Sequence, residues 1–279
     1  MADSARPFVG GGPGDAARPI TEDPWYLEAL RVVAEANRRG IVLRLLGATS
    51  FICRCPRYNW LYRTMNRTLS DIDVVTDATT PLDALDRLFA NLGYKKQEYL
   101  IWHASSRLIY DAPEGQGLHV DVFRGRLEFC HPIDFRGRLG EHPHTIPLPE
   151  MVLEKLQIVE INEKDLKDLC ILLVEHDVDA EGRSGGGGGG GGGIDGGHIG
   201  RLLAKDWGFW HTATRNLAKV RHAAQTFAAL GGEERARVVA QVDKLLERIA
   251  REPKSLRWKL RSLLGTRVRW YNEVEEVAR

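Results

Sequence analysis

Asp71-Ile72-Asp73-Val74-Val75 is the stretch on which the fold of this 279-residue chain turns. It is apolar and β-branched apart from its two carboxylates, so it reads as a strand. Alternation then puts Asp71 and Asp73 on one face and Ile72 and Val74 on the other. Two carboxylates about 7 Å apart along one face repel each other and are costly to bury unpaired. The pair makes sense if a divalent cation sits beside it. Taken alone, an Asp-x-Asp at a strand end is more often a turn or a cap.

Two further features lie to either side. His119-Val120-Asp121-Val122-Phe123 repeats the pattern with a single acid. A third carboxylate on a neighbouring strand would complete a two-metal site for Mg²⁺ or Mn²⁺, with Asp121 nearest the nucleophile. His119 shares the parity of Asp121, although a hydrogen-bonded sheet histidine is the commoner case. Upstream, Ile41 to Leu46 reads as a strand that ends in Gly47-Ala48-Thr49-Ser50. A small-residue turn there would let backbone N–H groups approach a triphosphate, with the Ser50 hydroxyl as a donor.

The surrounding elements alternate between helix and strand. Pro24 to Arg39 reads as a helix with Leu27, Leu30, Val33 and Ala34 at apolar positions, Asp23 as its cap and Gly40 as its stop. Pro81 to Leu92 is a second helix, halted by Gly93. Arg107 to Tyr110 and Leu118 to Phe123 are strands joined by a turn at Pro113 to Gly117. Glu150 to Val159 and Lys164 to Val174 are helical. The expected class is α+β: a mixed sheet with flanking helices, followed by a C-terminal helical domain.

Nine consecutive glycines, Gly185 to Gly193, interrupt the pattern. Such a run has nothing to bury, so it reads as a linker or loop. The resulting division is a disordered leader over 1–20, an α+β domain over 21–180, a Gly-rich linker over 181–197 and a basic helical domain over 198–279. In the last, His198 to Leu230, Glu233 to Arg251 and Ser255 to Leu264 read as helices.

Charge follows the same division. Residues 198–279 hold 17 basic and 9 acidic residues, while the rest of the chain holds 22 and 29. That asymmetry suggests a polyanion such as RNA as a partner for the C-terminal helices, or simply a solvated arginine-rich face. Lys254 to Arg269 carries six cations and no acid, with Trp258 and Trp270 nearby. Those tryptophans either stack on bases or bury against the first domain. His142-Pro143-His144 reads as a loop. No apolar run is long enough to span a bilayer. The leader lacks the apolar core of a signal peptide. Cys53, Cys55, Cys130 and Cys170 fit free thiols in a reducing cytoplasm better than a zinc site or a disulfide framework.

Gly47-x-x-Ser50, Asp71-x-Asp73 and Asp121 together resemble the signature of the polymerase-beta-like nucleotidyltransferase superfamily. Leu148-Pro149-Glu150, Lys155-Leu156-Gln157 and Lys164-Asp165-x-x-Asp168 resemble the pattern of its abortive-infection (AbiEii-like) branch, many of whose members are toxins of toxin–antitoxin pairs. The resemblance covers about Leu27 to Val174. It implies a nucleotidyltransferase-type fold, Asp71, Asp73 and Asp121 as catalytic metal ligands, and nucleotide binding by Gly47, Ala48 and Ser50. Lys155 would contact nucleotide phosphates, with Asp165 and Asp168 supporting the site. It also implies an NTP as substrate and a cognate antitoxin as a partner. The chain departs from the pattern in having Ala48 after Gly47. It departs also in the 24-residue step from Gly47 to Asp71, which holds Arg54, Arg57, Arg63 and Arg67 as candidate ligands for triphosphate or RNA. The acceptor hydroxyl is left open among an RNA 3′ end such as tRNA, a protein and an aminoglycoside-like small molecule. A nucleotide- or partner-binding module without turnover is the competing class.

Overall fold

A computed structural model describes residues 19–97, 107–113, 117–179 and 192–274. Residues 1–18 of the expected leader, the middle of the 113–117 turn and the glycines up to 191 lie outside the described residues. The chain forms two compact units. One comprises Met1–Arg126 and Phe135–Ile146, the other Leu127–Asp134 and Pro147–Arg279.

The first unit is a five-stranded mixed sheet with helices packed on it. Its elements are α1 (Pro24–Arg38), β1 (Leu43–Leu45), α2 (Gly47–Arg54), α3 (Trp60–Thr64), β2 (Ile72–Thr76), α4 (Leu82–Asn91), β3 (Lys95–Lys96), β4 (Arg107–Asp111) and β5 (His119–Arg124). The strand order is β1-β2-β5-β4-β3; β2 and β5 are parallel and the other pairings antiparallel. Alternation sorts the side chains. Leu43, Leu45, Ile72, Val74, Leu108, Tyr110, Val120 and Val122 join one core with Ala29, Val32, Val33 and Ala36 of α1 and Leu85, Leu88 and Phe89 of α4. The intervening residues, Asp73 and Asp121 among them, therefore face away from α1 and α4.

Helix α1 starts as its sequence predicts. The Asp23 carboxylate accepts the Trp25 N–H at 3.0 Å, and Pro24 occupies the first turn. Gly40, at φ +69°, follows its end. Its buried face is rotated from the expected one: Ala29, Val32 and Ala36 are inside and Leu27 is half-exposed. Gly47 to Ser50 is the first turn of helix α2 rather than a free turn, with Leu46 in the capping position.

Short strands β6 (Arg126–Leu127) and β7 (Ile133–Asp134) lie where the chain passes between units. The second unit then runs α5 (Leu148–Leu156), α6 (Glu163–Glu175), β8 (Val178–Asp179), β9 (Ile194–Asp195), α7 (Gly196–Leu203), α8 (Trp207–Thr226), α9 (Gly232–Arg251) and α10 (Leu256–Leu264). Three expectations are corrected here. The domain boundary falls at residue 147, not in the glycine run, because the apolar faces of α5 and α6 pack with α7, α8 and α9. The glycine run thus lies inside one unit. On either side of it β8 and β9 pair in parallel, Val178 opposite Ile194 and Asp179 opposite Asp195. A Cβ on Gly193 would come within 2.6 Å of the Asp177 carbonyl oxygen, so the chain returns there only because that residue has no side chain. Lastly, the helix expected over 198–230 is two helices. Asp206 breaks it by accepting the Phe209 N–H at 3.0 Å and capping α8.

Buried polar side chains close the remaining backbone groups of this unit. The Asn216 amide donates to the carbonyls of Leu156 and Ile158 at 3.0 and 2.7 Å, beyond the last turn of α5. Gln241 accepts the Val178 N–H at 2.8 Å and donates to Asp177 at 2.7 Å. The four cysteines are free thiols, and burial pushes the Cys170 thiol up to about 12. Among the described residues no helix is long and apolar enough to cross a membrane.

Candidate functional site

The parallel pairing of β2 with β5 sets the site. Its register places Asp73 opposite Asp121, so two carboxylates stand side by side on adjacent strands, on the face that α1 and α4 leave uncovered. Asp71 lies one residue ahead of β2 and shares the parity of Asp73; it is half-buried. Asp121 is only 1% exposed.

The start of α2 is fitted to this pair. Leu46 N–H donates to the Asp73 carbonyl at 2.8 Å, which fixes the step from β1 into the helix beside β2. Gly47 then turns at φ +56°, and a Cβ there would stand 2.6 Å from Asp73 Oδ2. Only glycine accepts both the left-handed backbone and that approach. The positive end of the α2 backbone is thereby set against a carboxylate. Ala48, Thr49 and Ser50 are buried in the same turn. The Ser50 hydroxyl donates to the Gly47 carbonyl at 2.8 Å and the Thr49 hydroxyl to Leu46 at 3.2 Å, so both are used within the helix.

Arg107 is a site residue that the motif does not announce. Its Nη2 lies 2.6 Å from Asp121 Oδ2, and its guanidinium stands 5.4 Å from the centre of the Phe123 ring. It reaches Asp121 diagonally, because β4 and β5 pair Arg107 with Phe123 and Ile109 with Asp121. The only signal for it in the sequence was an arginine at the start of a strand. His119 lies two residues from Asp121, and its Nε2 is buried with no hydrogen-bond partner among the described residues.

Of the four arginines in the step from Gly47 to Asp71, Arg54, Arg63 and Arg67 make contacts within this unit, and Arg57 is exposed. Arg63 pairs with Asp23 at 3.3 Å, Arg67 is buried against the Thr68 carbonyl, and Arg54 lies 3.5 Å from the Thr145 hydroxyl. The 142–144 loop is ordered by His142. Its Nδ1 accepts the backbone N–H groups of His144 and Thr145 at 3.2 and 3.1 Å. Burial first, then Arg54, His144 and Arg44, push the His142 ring down to about 4.

No family model and no curated protein matches this chain.

Lys155, Asp165 and Asp168 come together within the second unit. Lys155 Nζ lies 2.8 Å from Asp165 Oδ1 and 3.2 Å from Asp168 Oδ2, and all three are buried. Burial alone would lower the lysine pKa; Asp168, Asp165 and Glu154 outweigh it and hold the ammonium above the usual lysine range. The arrangement ties α5 to α6. Glu150, also buried, lies 3.1 Å from His198 Nε2.

A cation fits the strand site by the chemistry of its donors. Carboxylate oxygens are hard ligands, and Mg²⁺ is commonly held by one or two carboxylates with waters and substrate phosphates completing its shell. Among the described residues no three His, Cys, Asp or Glu side chains gather closely enough to hold a metal by themselves.

Proposed function

We propose that the sheet unit is the catalytic domain of a nucleotidyltransferase, which moves a nucleoside monophosphate from an NTP to an acceptor hydroxyl. The observation that carries this is the in-register pair Asp73–Asp121, with the side-chain-free start of α2 pressed against Asp73. In this reading the fold is of nucleotidyltransferase type. Asp73 and Asp121, with Asp71 beside them but not gathered into a three-carboxylate cluster among the described residues, would hold Mg²⁺ or Mn²⁺ together with the substrate phosphates. Bound there, the ion would neutralise triphosphate charge and lower the pKa of the attacking hydroxyl. The chain's own groups do the rest. Gly47 and Ala48 offer backbone N–H groups and little bulk to the phosphates. Asp121 orients the acceptor hydroxyl and takes its proton, while Arg107 holds that carboxylate in place. The acceptor oxygen attacks the α-phosphorus and pyrophosphate leaves.

The excess of positive charge over 198–279 supports an RNA acceptor, tRNA included, over a small molecule. Lys155 has its ammonium on two carboxylates, which supports a holding role rather than the phosphate contact implied by the resemblance. The commitment of Ser50 to Gly47 favours a second reading, a module that binds nucleotide without turnover.

One experiment separates the two. The full chain is incubated with Mg²⁺, total RNA and each NTP labelled at the α-phosphate. Transfer of label with release of pyrophosphate is expected, and Asp73→Asn should reduce it by at least about a hundredfold. NTP binding without pyrophosphate release would favour the binding module. Equal labelling by wild type and variant would end the carboxylate argument.

A further inference from the structure

Helix α10, Leu256 to Leu264, is amphipathic with its apolar stripe outward. At 3.6 residues per turn Leu256, Leu260, Leu263 and Leu264 fall on one stripe about 100° wide. They are 78%, 67%, 75% and 49% exposed, and no residue of the helix is buried. Its opposite face carries Trp258, whose ring meets Trp210 of α8 edge-on at 5.1 Å between centroids. The tryptophan thus packs within its own unit and leaves the leucines to solvent. A stripe of this kind on a folded surface marks an interaction face.

The edges of the stripe are basic. Lys259 lies on one side, Arg257 and Arg261 on the other. Arg261 is held in place by the carbonyls of Gly265 and Val268, each at 2.8 Å, and stacks 4.9 Å from the Trp207 ring centre. Beside that edge lies a cavity of about 780 Å³, also reached by Lys205 and Leu260. Its one acid, Asp206, is occupied in capping α8. Among the described residues neither Lys205 nor Arg257 is in an ion pair, and residues 254–269 contain six cations and no acid.

We infer that α10 and the adjoining cleft are the docking site for an acidic amphipathic helix of a partner protein. Its apolar residues would cover the leucines, and its carboxylates would meet Lys259 on one edge and Arg257 and Lys205 on the other. A polynucleotide would neutralise the cations but leave the leucines wet. A bilayer is flat and would not fill the cleft. A second copy of α10 would bring like charges together.

The test uses the full chain and a synthetic helix with a leucine stripe and glutamate flanks, labelled for fluorescence anisotropy. A lysine-flanked helix, a single-stranded RNA and phosphatidylglycerol vesicles are run beside it. The glutamate-flanked helix should bind, more weakly as salt is raised. Binding should fall at least tenfold in Leu260→Glu/Leu263→Glu, whose thermal unfolding should be unchanged because both leucines are exposed. In Arg257→Glu/Lys259→Glu the preference should pass to the lysine-flanked helix. Equal binding of both helices by wild type would overturn the inference, as would leucine-dependent binding of RNA or vesicles but not of the helix. Leucine-dependent self-association in sedimentation would show the occupant to be a second copy and overturn it equally.

Discussion

Each unit holds a group of acidic side chains, and the two groups are neutralised in opposite ways. In the helical unit Asp165 and Asp168 enclose Lys155, and all three side chains are buried. The cation there belongs to the chain itself. In the sheet unit Asp73 and Asp121 stand in register with one arginine on Asp121, and Asp73 faces the backbone at the start of α2. The start of α2 brings the positive end of its backbone towards Asp73, and Arg107 brings a guanidinium to Asp121. Under the proposed function the pair in the sheet unit serves a bound ion, whereas the carboxylates of the helical unit hold the chain's own lysine.

The largest effect should come from breaking the internal neutralisation. Lys155→Ala leaves two buried carboxylates without their cation and should cost about 3–5 kcal/mol of unfolding free energy, measured by denaturant titration. A loss below about 1 kcal/mol would make the triad no different from a surface ion pair. Next comes Gly47→Ala. The left-handed backbone and the collision with Asp73 should cost about 1–3 kcal/mol and abolish nucleotide transfer. Full activity in that variant would detach α2 from the site.

The last effect is one of pH. His131 sits in the helical unit, 2.9 Å from the Thr212 hydroxyl and stacked on Phe209. Burial pushes its ring down from 6.5 to about 4, against a weaker opposing pull from Asp206. As pH falls below about 6.5 the unfolded chain takes up a proton that the folded chain refuses, so stability drops until about pH 4 and this contribution then levels off. His142 does the same in the sheet unit. His131→Gln and His142→Gln should each flatten the acid limb of thermal unfolding and leave stability above pH 7 less affected by titration. If the units unfold in separate transitions, each substitution should act on its own transition only.

Strands β1, β2, β4 and β5 and the first helix were legible because their signals are local. Asp23 before Pro24, the Gly40 stop and the alternation around Asp73 and Asp121 each fix an element without reference to distant residues. Arg107 was not legible, since its diagonal contact with Asp121 depends on the register of β4 against β5. Gly47 to Ser50 has turn composition and became helix because packing beside β2 selects it. The glycine run marks low order in the sequence but not which unit owns its flanks; the pairing of Val178 with Ile194 decides that. The helix over 255–264 was legible, but the exposure of its leucines was not; the Trp210–Trp258 contact on the opposite face turns them outward.

Under the proposed function Asp73 and Asp121 serve a ligand rather than the fold. This role is tested most directly by pyrophosphate release from NTP with Mg²⁺, measured for wild type, Asp73→Asn and Asp121→Asn alongside their thermal unfolding. Release by wild type, a loss of at least about a hundredfold in both variants and a folded chain in each are expected. Undiminished release in either folded variant would contradict that role.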